Sequence, residues 1–280
     1  MMKKKINELF LKIAFVAVIL WASGCALNRN PVPIEKMPQA KISGMPDIRC
    51  WEFDYKPDLD KNSVSSDCNF LALSGGGANG AFGAGFLCGW SAAGTRPDFR
   101  IVTGISTGAL IAPIAFAGSE YDKRLRAYTT IQTNDILKVR GIYGIMPLLI
   151  GESYADTEPL VKLISQTVND EVIKAVAKEY AKGRRLYIGT TDLDAQRLVI
   201  WDMGAIAASG KPDAFNLFRK VMLASASIPG AFPPVYFNVE TDGKKYDEMH
   251  VDGGVMTEVF GFGTTPFKDN AAAEKLLAGT

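Results

Sequence analysis

Histidine is almost missing from this chain: there is one, His250, in 280 residues. A serine–histidine–acid site therefore has a single candidate for its central member, and no histidine follows Asp252, as the order nucleophile, acid, histidine would need if that residue were the acid. Cysteine is also scarce, at four, and no Cys/His spacing suits a zinc site, so no metal is expected. Charge is balanced at a formal +1, which argues against a nucleic-acid partner and against an acidic tail. No repeat of 20–50 residues is present. What is abundant is apolar material, 48% of the chain, enough for the core of a single domain of moderate size.

The first residues do not read as part of that domain. MKKK is a basic start, LFLKIAFVAVILW an apolar stretch broken by Lys12, and Ala22-Ser23-Gly24 are small residues before Cys25. That is the grammar of an export signal, residues 1–24. ASGC resembles the lipobox of bacterial lipoproteins, which implies Cys25 as the lipidated first residue of the mature chain. Its acyl chains would then anchor the protein to a membrane. By the same resemblance, Ala26 in place of an acid implies the outer membrane, with the protein facing the periplasm. An uncleaved membrane anchor is the other reading. Residues 25–66 are rich in Pro, Lys, Asp and Ser and read as a tether leading into a few ordered residues near Trp51 and Phe53. Cys50 and Cys68 flank a polar loop that a disulfide could close. Cys88 falls in an apolar helix and reads as a small hydrophobe.

The domain proper spans about 67–280. NFLALS and Arg100–Thr103 read as buried strands, each leading into a glycine-marked turn and an apolar helix; Pro113 could kink the second. The segment from Tyr121 to Lys182 reads as mainly helical, and its apolar stretch Ile142–Ile150 is either a lip for acyl chains or a piece of core. Strands follow at Arg185–Thr191 and Arg197–Trp201, a helix at Phe215–Ala226, and a strand pair ending at Asp252. Strands alternating with helices predict an α/β fold with a mostly parallel central sheet covered on both faces.

Three sites carry chemistry. SGGGANG, Ser74–Gly80, lies between a strand and a helix, where backbone N–H groups attract negative charge. It also matches G-x-G-x-x-G, but the acid needed at the end of the next strand is missing, so no nucleotide is expected. GISTG places Ser106 between Gly104 and Gly108 in the form of a nucleophile elbow, although G-x-S-x-G is also common in ordinary turns. VDGG ends a strand with Asp252, which is either a turn-former bonded to backbone or a general base. His250 lies two residues from Asp252, roughly 6.5–7 Å along a strand, and reads as a structural neighbour.

GGGANG, GISTG and VDGG, in that order, resemble the patatin-like phospholipase family over about Asn69–Gly254; ASASIPGAFPP and TTDLDAQR add to the likeness. The resemblance implies a three-layer α/β/α fold and a lipid acyl hydrolase working through a serine–aspartate dyad without a cofactor. It implies Ser106 as nucleophile, Asp252 as base and Gly75, Gly76 and Gly77 as the oxyanion loop. Membrane lipid would be both substrate and anchoring surface. An esterase or thioesterase acting on small acyl groups, and a non-catalytic envelope scaffold, are the rival readings. The family's loop usually has Lys or Arg where Asn79 stands here. Only 26 residues follow Gly254, so either little covers the last strand or the chain is a truncated version of a longer one.

Overall fold

A computed structural model describes residues 29–54, 69–130, 138–139 and 155–261. Ile142–Ile150, Cys25 and Cys68 lie outside the described residues. Ten strands and seven α-helices are described. The strands are β1 (Lys41–Ile42), β2 (Arg49–Trp51), β3 (Phe70–Leu73), β4 (Ile101–Gly104), β5 (Lys138–Val139), β6 (Ala155–Asp156), β7 (Arg185–Asp192), β8 (Arg197–Asp202), β9 (Val235–Thr241) and β10 (Lys244–Asp252). The helices are α1 (Gly80–Ala92), α2 (Thr107–Ala117), α3 (Asp122–Thr130), α4 (Glu158–Thr167), α5 (Asp170–Ala181), α6 (Met203–Ala208) and α7 (Ala214–Ser225).

Eight strands form one sheet, ordered β1-β9-β10-β7-β4-β3, with β8 on β7 and β2 on β8. The sheet is mixed, which corrects the expectation of a mostly parallel one. Only β3–β4 and β4–β7 run parallel; β7–β8, β7–β10, β9–β10, β1–β9 and β2–β8 are antiparallel. For the two consecutive pairs, β7–β8 and β9–β10, the reason is connection length. Asp242-Gly243 joins β9 to β10 with φ +52° and +70°, the geometry of a two-residue hairpin. The turn from β7 to β8 is nearly as short: Asp192 Oδ1 accepts the N–H groups of Asp194 and Ala195 at 2.8 and 3.2 Å, and Gln196 takes φ +53°. A parallel neighbour needs a crossover of a dozen or more residues. Such crossovers join β3 to β4 and β4 to β7, the two parallel pairs, whereas β7–β8 and β9–β10 are joined by short turns.

The stretch from Arg29 to Asp54, expected as a tether, contributes β1 and β2 to the sheet. Arg29 bridges Asp194 and Asp247 at 2.6 and 2.7 Å, and Val32, Met37 and Trp51 are buried. Cys50 on β2 and Cys88 on α1 carry free thiols. Burial pushes the Cys50 thiol up to about 11, so it stays protonated and is a poor nucleophile.

The helices follow their burial. In α2 all ten residues from Gly108 to Ala117 are buried, so it is a core helix apolar on every side. In α7, Ala214, Leu217, Phe218, Val221, Met222 and Ser225 are buried, the i, i+3, i+4 stripe of a helix lying on a sheet. The N-cap of α5 is Asn169, whose side chain accepts from Val172 N–H at 3.3 Å, and Asp170 and Glu171 favour its positive end. The main core joins one face of the sheet (Val102, Leu186, Ile188, Val199, Trp201) to α2, α5 and α7. On the other face Ile101, Tyr187, Leu198 and Ile200 pack with Ile105 and Phe260.

One buried ionic network ties the edge of the sheet to its centre. Arg49 on β2 grips both carboxylate oxygens of Glu248 on β10, and both side chains are nearly inaccessible. Burial works to raise the Glu248 carboxyl, but the His250 and Arg49 hydrogen bonds and the Arg49 charge outweigh it and hold the group at about 2. A depressed carboxyl stabilises the fold above its unfolded value, about 4.5, and that stabilisation is lost as pH falls towards 2. Glu248→Gln leaves the Arg49 guanidinium buried without its anion. Chemical unfolding at pH 7 is expected to show a loss of about 3–5 kcal/mol, shrinking as the pH is taken below the ordinary carboxyl range.

Candidate active site

The geometry of the site follows from how β7 shares one of its edges. Ile188 pairs with Gly104 of β4, and Thr190 pairs with Asp252 of β10. Both residues also pair with β8, through Trp201 and Val199, so β8 takes the opposite edge. Strands β4 and β10 therefore occupy the same edge and end facing each other across Gly189. The chain leaves β4 into Ser106, and β10 closes on Asp252. Residues 146 apart are brought together, with Ser106 Oγ donating to Asp252 Oδ2 at 2.6 Å.

Glycine is required on both sides of the serine by close approach. A Cβ on Gly108 would lie 2.2 Å from the Leu73 carbonyl oxygen, and one on Gly104 2.7 Å from the Gly108 carbonyl oxygen. Between them Ser106 takes φ 54°, ψ −124°, a conformation that L-residues avoid and that elbows impose on their serine. The turn is held from behind. Ser106 N–H donates to Ser225 Oγ at 3.1 Å, and that hydroxyl donates to the Gly189 carbonyl at 2.7 Å. Asp252 is fixed by four bonds: Oδ1 accepts Gly254 N–H at 2.7 Å, Oδ2 accepts Ser106, its N–H donates to Ser227 O at 2.9 Å, and its carbonyl accepts Thr191 Oγ at 2.9 Å. Burial pushes the Asp252 carboxyl up, more than the bonds from Ser106 and Gly254 pull it down. Ser225 and Ser227 were not singled out by the sequence reading, although both lie in ASASIPGAFPP. A serine in an apolar helix end gives no sign that its hydroxyl braces another turn.

The glycine loop lies beside the serine. A Cβ on Gly75 would stand 3.1 Å from Ser106 Cβ. Gly76 and Gly77 take φ 138° and 56°, and among the described residues neither N–H has a hydrogen-bond partner. Gly75 departs from the expectation that it helps to hold an oxyanion, because its N–H donates to the Glu258 carbonyl at 2.9 Å. The chain beyond Asp252 folds back as a strap and occupies that donor. The same strap places the Phe260 carbonyl 2.6 Å from Thr103 Oγ.

His250 stands apart from Ser106. It is fully buried, with Nδ1 2.8 Å from Thr190 Oγ and Nε2 3.3 Å from Glu248 Oε2. Trp201 Nε1, which can only donate, reaches the same Thr190 oxygen at 2.8 Å. An ionised Glu248 can only accept, which assigns a proton to His250 Nε2 facing it. The ring packs on Phe237 and Trp201 at 4.8 and 5.8 Å. Asp192, Glu248 and His250 lie close enough to share a cation, but Arg49 already takes both Glu248 oxygens. The group is better described as a buried ionic network. The free Oδ2 of Asp192 has no partner among the described residues, and burial raises that carboxyl.

A mixed α/β sheet that presents a strained serine to a buried aspartate beside a glycine loop defines the class of the domain. The model of the patatin-like phospholipase family matches residues 71–260, and the chain belongs to that family, whose members are generally lipid acyl hydrolases. No curated protein matches the chain. Among solved structures, VipD from Legionella pneumophila is similar with a TM-score of 0.37 and 13% identity, covering 86% of this chain and 52% of VipD. The chain thus spans about half the length of that protein.

The strain at Ser106 is measurable. Glycine adopts φ 54° without penalty whereas alanine does not. Ser106→Gly is expected to unfold at higher denaturant than Ser106→Ala, by about 1 kcal/mol. Equal midpoints would mean that the elbow is not strained.

Proposed function

We propose that this protein is a serine lipid acyl hydrolase that cleaves carboxylic esters of membrane lipids through Ser106 and Asp252. The observation that carries the reading is the 2.6 Å contact between the elbow serine and a buried carboxylate. Ser106 Oγ attacks the ester carbonyl carbon as its proton passes to Asp252 Oδ2. The carbonyl oxygen becomes an oxyanion facing the Gly76 and Gly77 N–H groups. Collapse expels the alcohol, which takes the proton back from Asp252 and leaves the acyl group on Ser106. Water, deprotonated by Asp252, then releases the carboxylic acid.

A carboxylate is a weak base at its ordinary pKa of about 3.9, and the burial that raises Asp252 makes it a better one. The N–H donors matter more than in a site with histidine, because they must stabilise the charge that a weak base leaves behind; one donor is typically worth about 2.7–4 kcal/mol. Cys25 is read as the lipidated residue of an outer-membrane protein facing the periplasm. Three residues lie between it and Arg29, and the four steps from one to the other span at most about 14 Å. Because Arg29 is clamped to Asp194 and Asp247, an acyl anchor there would hold the domain close to the bilayer. Among the described residues no helix is long and apolar enough to cross a membrane.

The test is hydrolysis of short- and long-chain acyl esters, with labelling by a fluorophosphonate probe. Ser106→Ala and Asp252→Asn should each lower kcat/KM by about 10³-fold or more, while His250→Gln should keep activity wherever it folds. A wild-type protein that neither labels nor hydrolyses would be a scaffold, and the proposal would fail.

The raised Asp252 carboxyl also fixes two pH dependences. Its ionised form is the base, so the acid limb of kcat/KM should lie above the ordinary aspartate value of 3.8. Its folded pKa exceeds the unfolded one, so the stability linked to it is full below 3.8 and is lost as pH rises through the folded value. Asp252→Asn should therefore be inactive yet melt higher than wild type at pH 7, with the gap closing as the pH is lowered.

A further inference from the structure

The helix that leaves the glycine loop is apolar on the side that faces water. The sequence of α1, GAFGAGFLCGWSA, contains no charged residue, and only Ala84 and Leu87 are buried. Phe82 is 78% exposed and Phe86 56%. Phe82, Phe86 and Trp90 recur every four residues, and their rings follow one another at 6.2 and 5.6 Å. Gly85, Gly89 and Ala92 complete the exposed face, which has no polar side chain. A helix that is apolar all round is ordinarily buried in protein or in lipid.

The rest of the exposed apolar surface gathers at the same place. Besides the two phenylalanines, the large apolar side chains open to water among the described residues are Ile34, Val161, Ile228, Val255, Met256 and Val259. Ile228 follows Ser227, whose carbonyl holds the Asp252 N–H. Val255, Met256 and Val259 lie on the strap after Asp252, next to the Glu258 carbonyl that holds Gly75. Glu258 is the single acid of Gly254–Val259. Only Ile34 and Val161 lie elsewhere, so the other six ride on the helix that leaves the glycine loop and on the two segments whose carbonyls hold Asp252 and Gly75.

Charge selects among the possible occupants. Helix α3, which carries Lys123, Arg124 and Arg126, packs along α1. Lys123 and Arg126 are exposed, and among the described residues neither has an ion-pair partner. Arg126 is within electrostatic reach of Cys88 on α1, and the one acid of α3, Asp122, is taken by Arg96 at 2.7 Å. An apolar face edged by unpaired cations suits an anionic lipid surface.

We infer that the Phe82–Phe86 face of α1, together with Ile228 and the Val255–Val259 strap, docks on an anionic lipid bilayer and brings the Ser106 site to esters held in it. The inference rests on the proposed acyl hydrolysis for its purpose, but the surface can be tested without it. The full-length protein is mixed with phosphatidylglycerol vesicles carrying brominated acyl chains, which quench tryptophans that enter the bilayer. The Trp90 share of the quenching is what Trp90→Phe removes. Trp90 should be quenched in wild type and unquenched in Phe82→Asp/Phe86→Asp, and neutral phosphatidylcholine vesicles should quench it less. The double variant should hydrolyse a long-chain ester in vesicles at least about tenfold more slowly than wild type and a soluble short-chain ester within about twofold; Phe82→Trp/Phe86→Trp should keep both rates. Unquenched Trp90 in wild type would overturn the inference. So would equal loss on both esters, or a lipid-free dimer that the double variant dissociates. If wild type is inert on both esters while Trp90 is still quenched, the hydrolase reading falls and the docking surface stands.

Discussion

Two strands meet end to end along one edge of β7, and a single residue, Gly189, separates their ladders. Much of the site depends on that meeting. A sheet with β4 alone on this edge would expose Ser106 without a carboxylate beside it. A sheet with β10 alone would end Asp252 against a bare edge. Gly189 has no side chain, so its neighbours close over it: a Cβ there would press on Ile105, Leu198 and Phe260 at 3.1–3.2 Å, and a Cβ on Gly253 would lie 2.5 Å from the Gly189 carbonyl oxygen. That carbonyl accepts the Ser225 hydroxyl that steadies the Ser106 N–H. One small residue thus sets the distance between the two chain ends and orients the backbone of one of them.

The arrangement is locally unfavourable, and the surrounding fold supplies the constraint. A residue at Ser106's φ and ψ costs of order 1–3 kcal/mol, and a buried carboxylate adds a desolvation cost. Around them lie the parts that resist relaxation most. The helix that begins at Thr107 is buried along its length. Asp252 is bonded through its N–H, its carbonyl and both carboxylate oxygens. Two residues earlier, His250 is fixed by Thr190 and Glu248, and Glu248 by Arg49. The lone histidine therefore acts on the site through the rigidity of β10.

Much of this was legible in the chain. NFLALS, the strand before GISTG, the two strands around TTDLDAQR and the pair ending at Asp252 are all found within a residue or two of where periodicity puts them, and so is the helix after Ser106. Residue types carried Ser106 and Asp252, since glycine spacing records the close approaches that an elbow and a strand end require. Alternation of strands and helices does not record strand direction, which connection length constrains; Asp242-Gly243 is too short for a crossover. The strands β1 and β2 have two and three residues, too few for any periodic signal, and their pairing depends on partners some 150–200 residues away. That Gly75 gives its N–H to Glu258 could not be read at all. The acceptor is a backbone carbonyl, which every residue possesses.

The strap formed by residues 253–261 shows how one segment serves both the interior and the surface. Its carbonyls, at Glu258 and Phe260, bond inward to Gly75 and Thr103, and the Phe260 ring fills the smaller core. Its side chains at Val255, Met256 and Val259 remain exposed. Backbone bonds do not depend on side-chain identity, so they would have held polar residues in those places equally well. Folding therefore does not account for the apolar outward face, and neither does solubility, which it works against. The same holds for α1, where Ala84 and Leu87 are buried, Cys88 and Trp90 pack against the core, and Phe82 and Phe86 face outward beyond it. Where apolar residues are needed by neither the core nor the solvent, the requirement that remains is contact with something apolar outside the protein, and here that contact would lie beside Ser106.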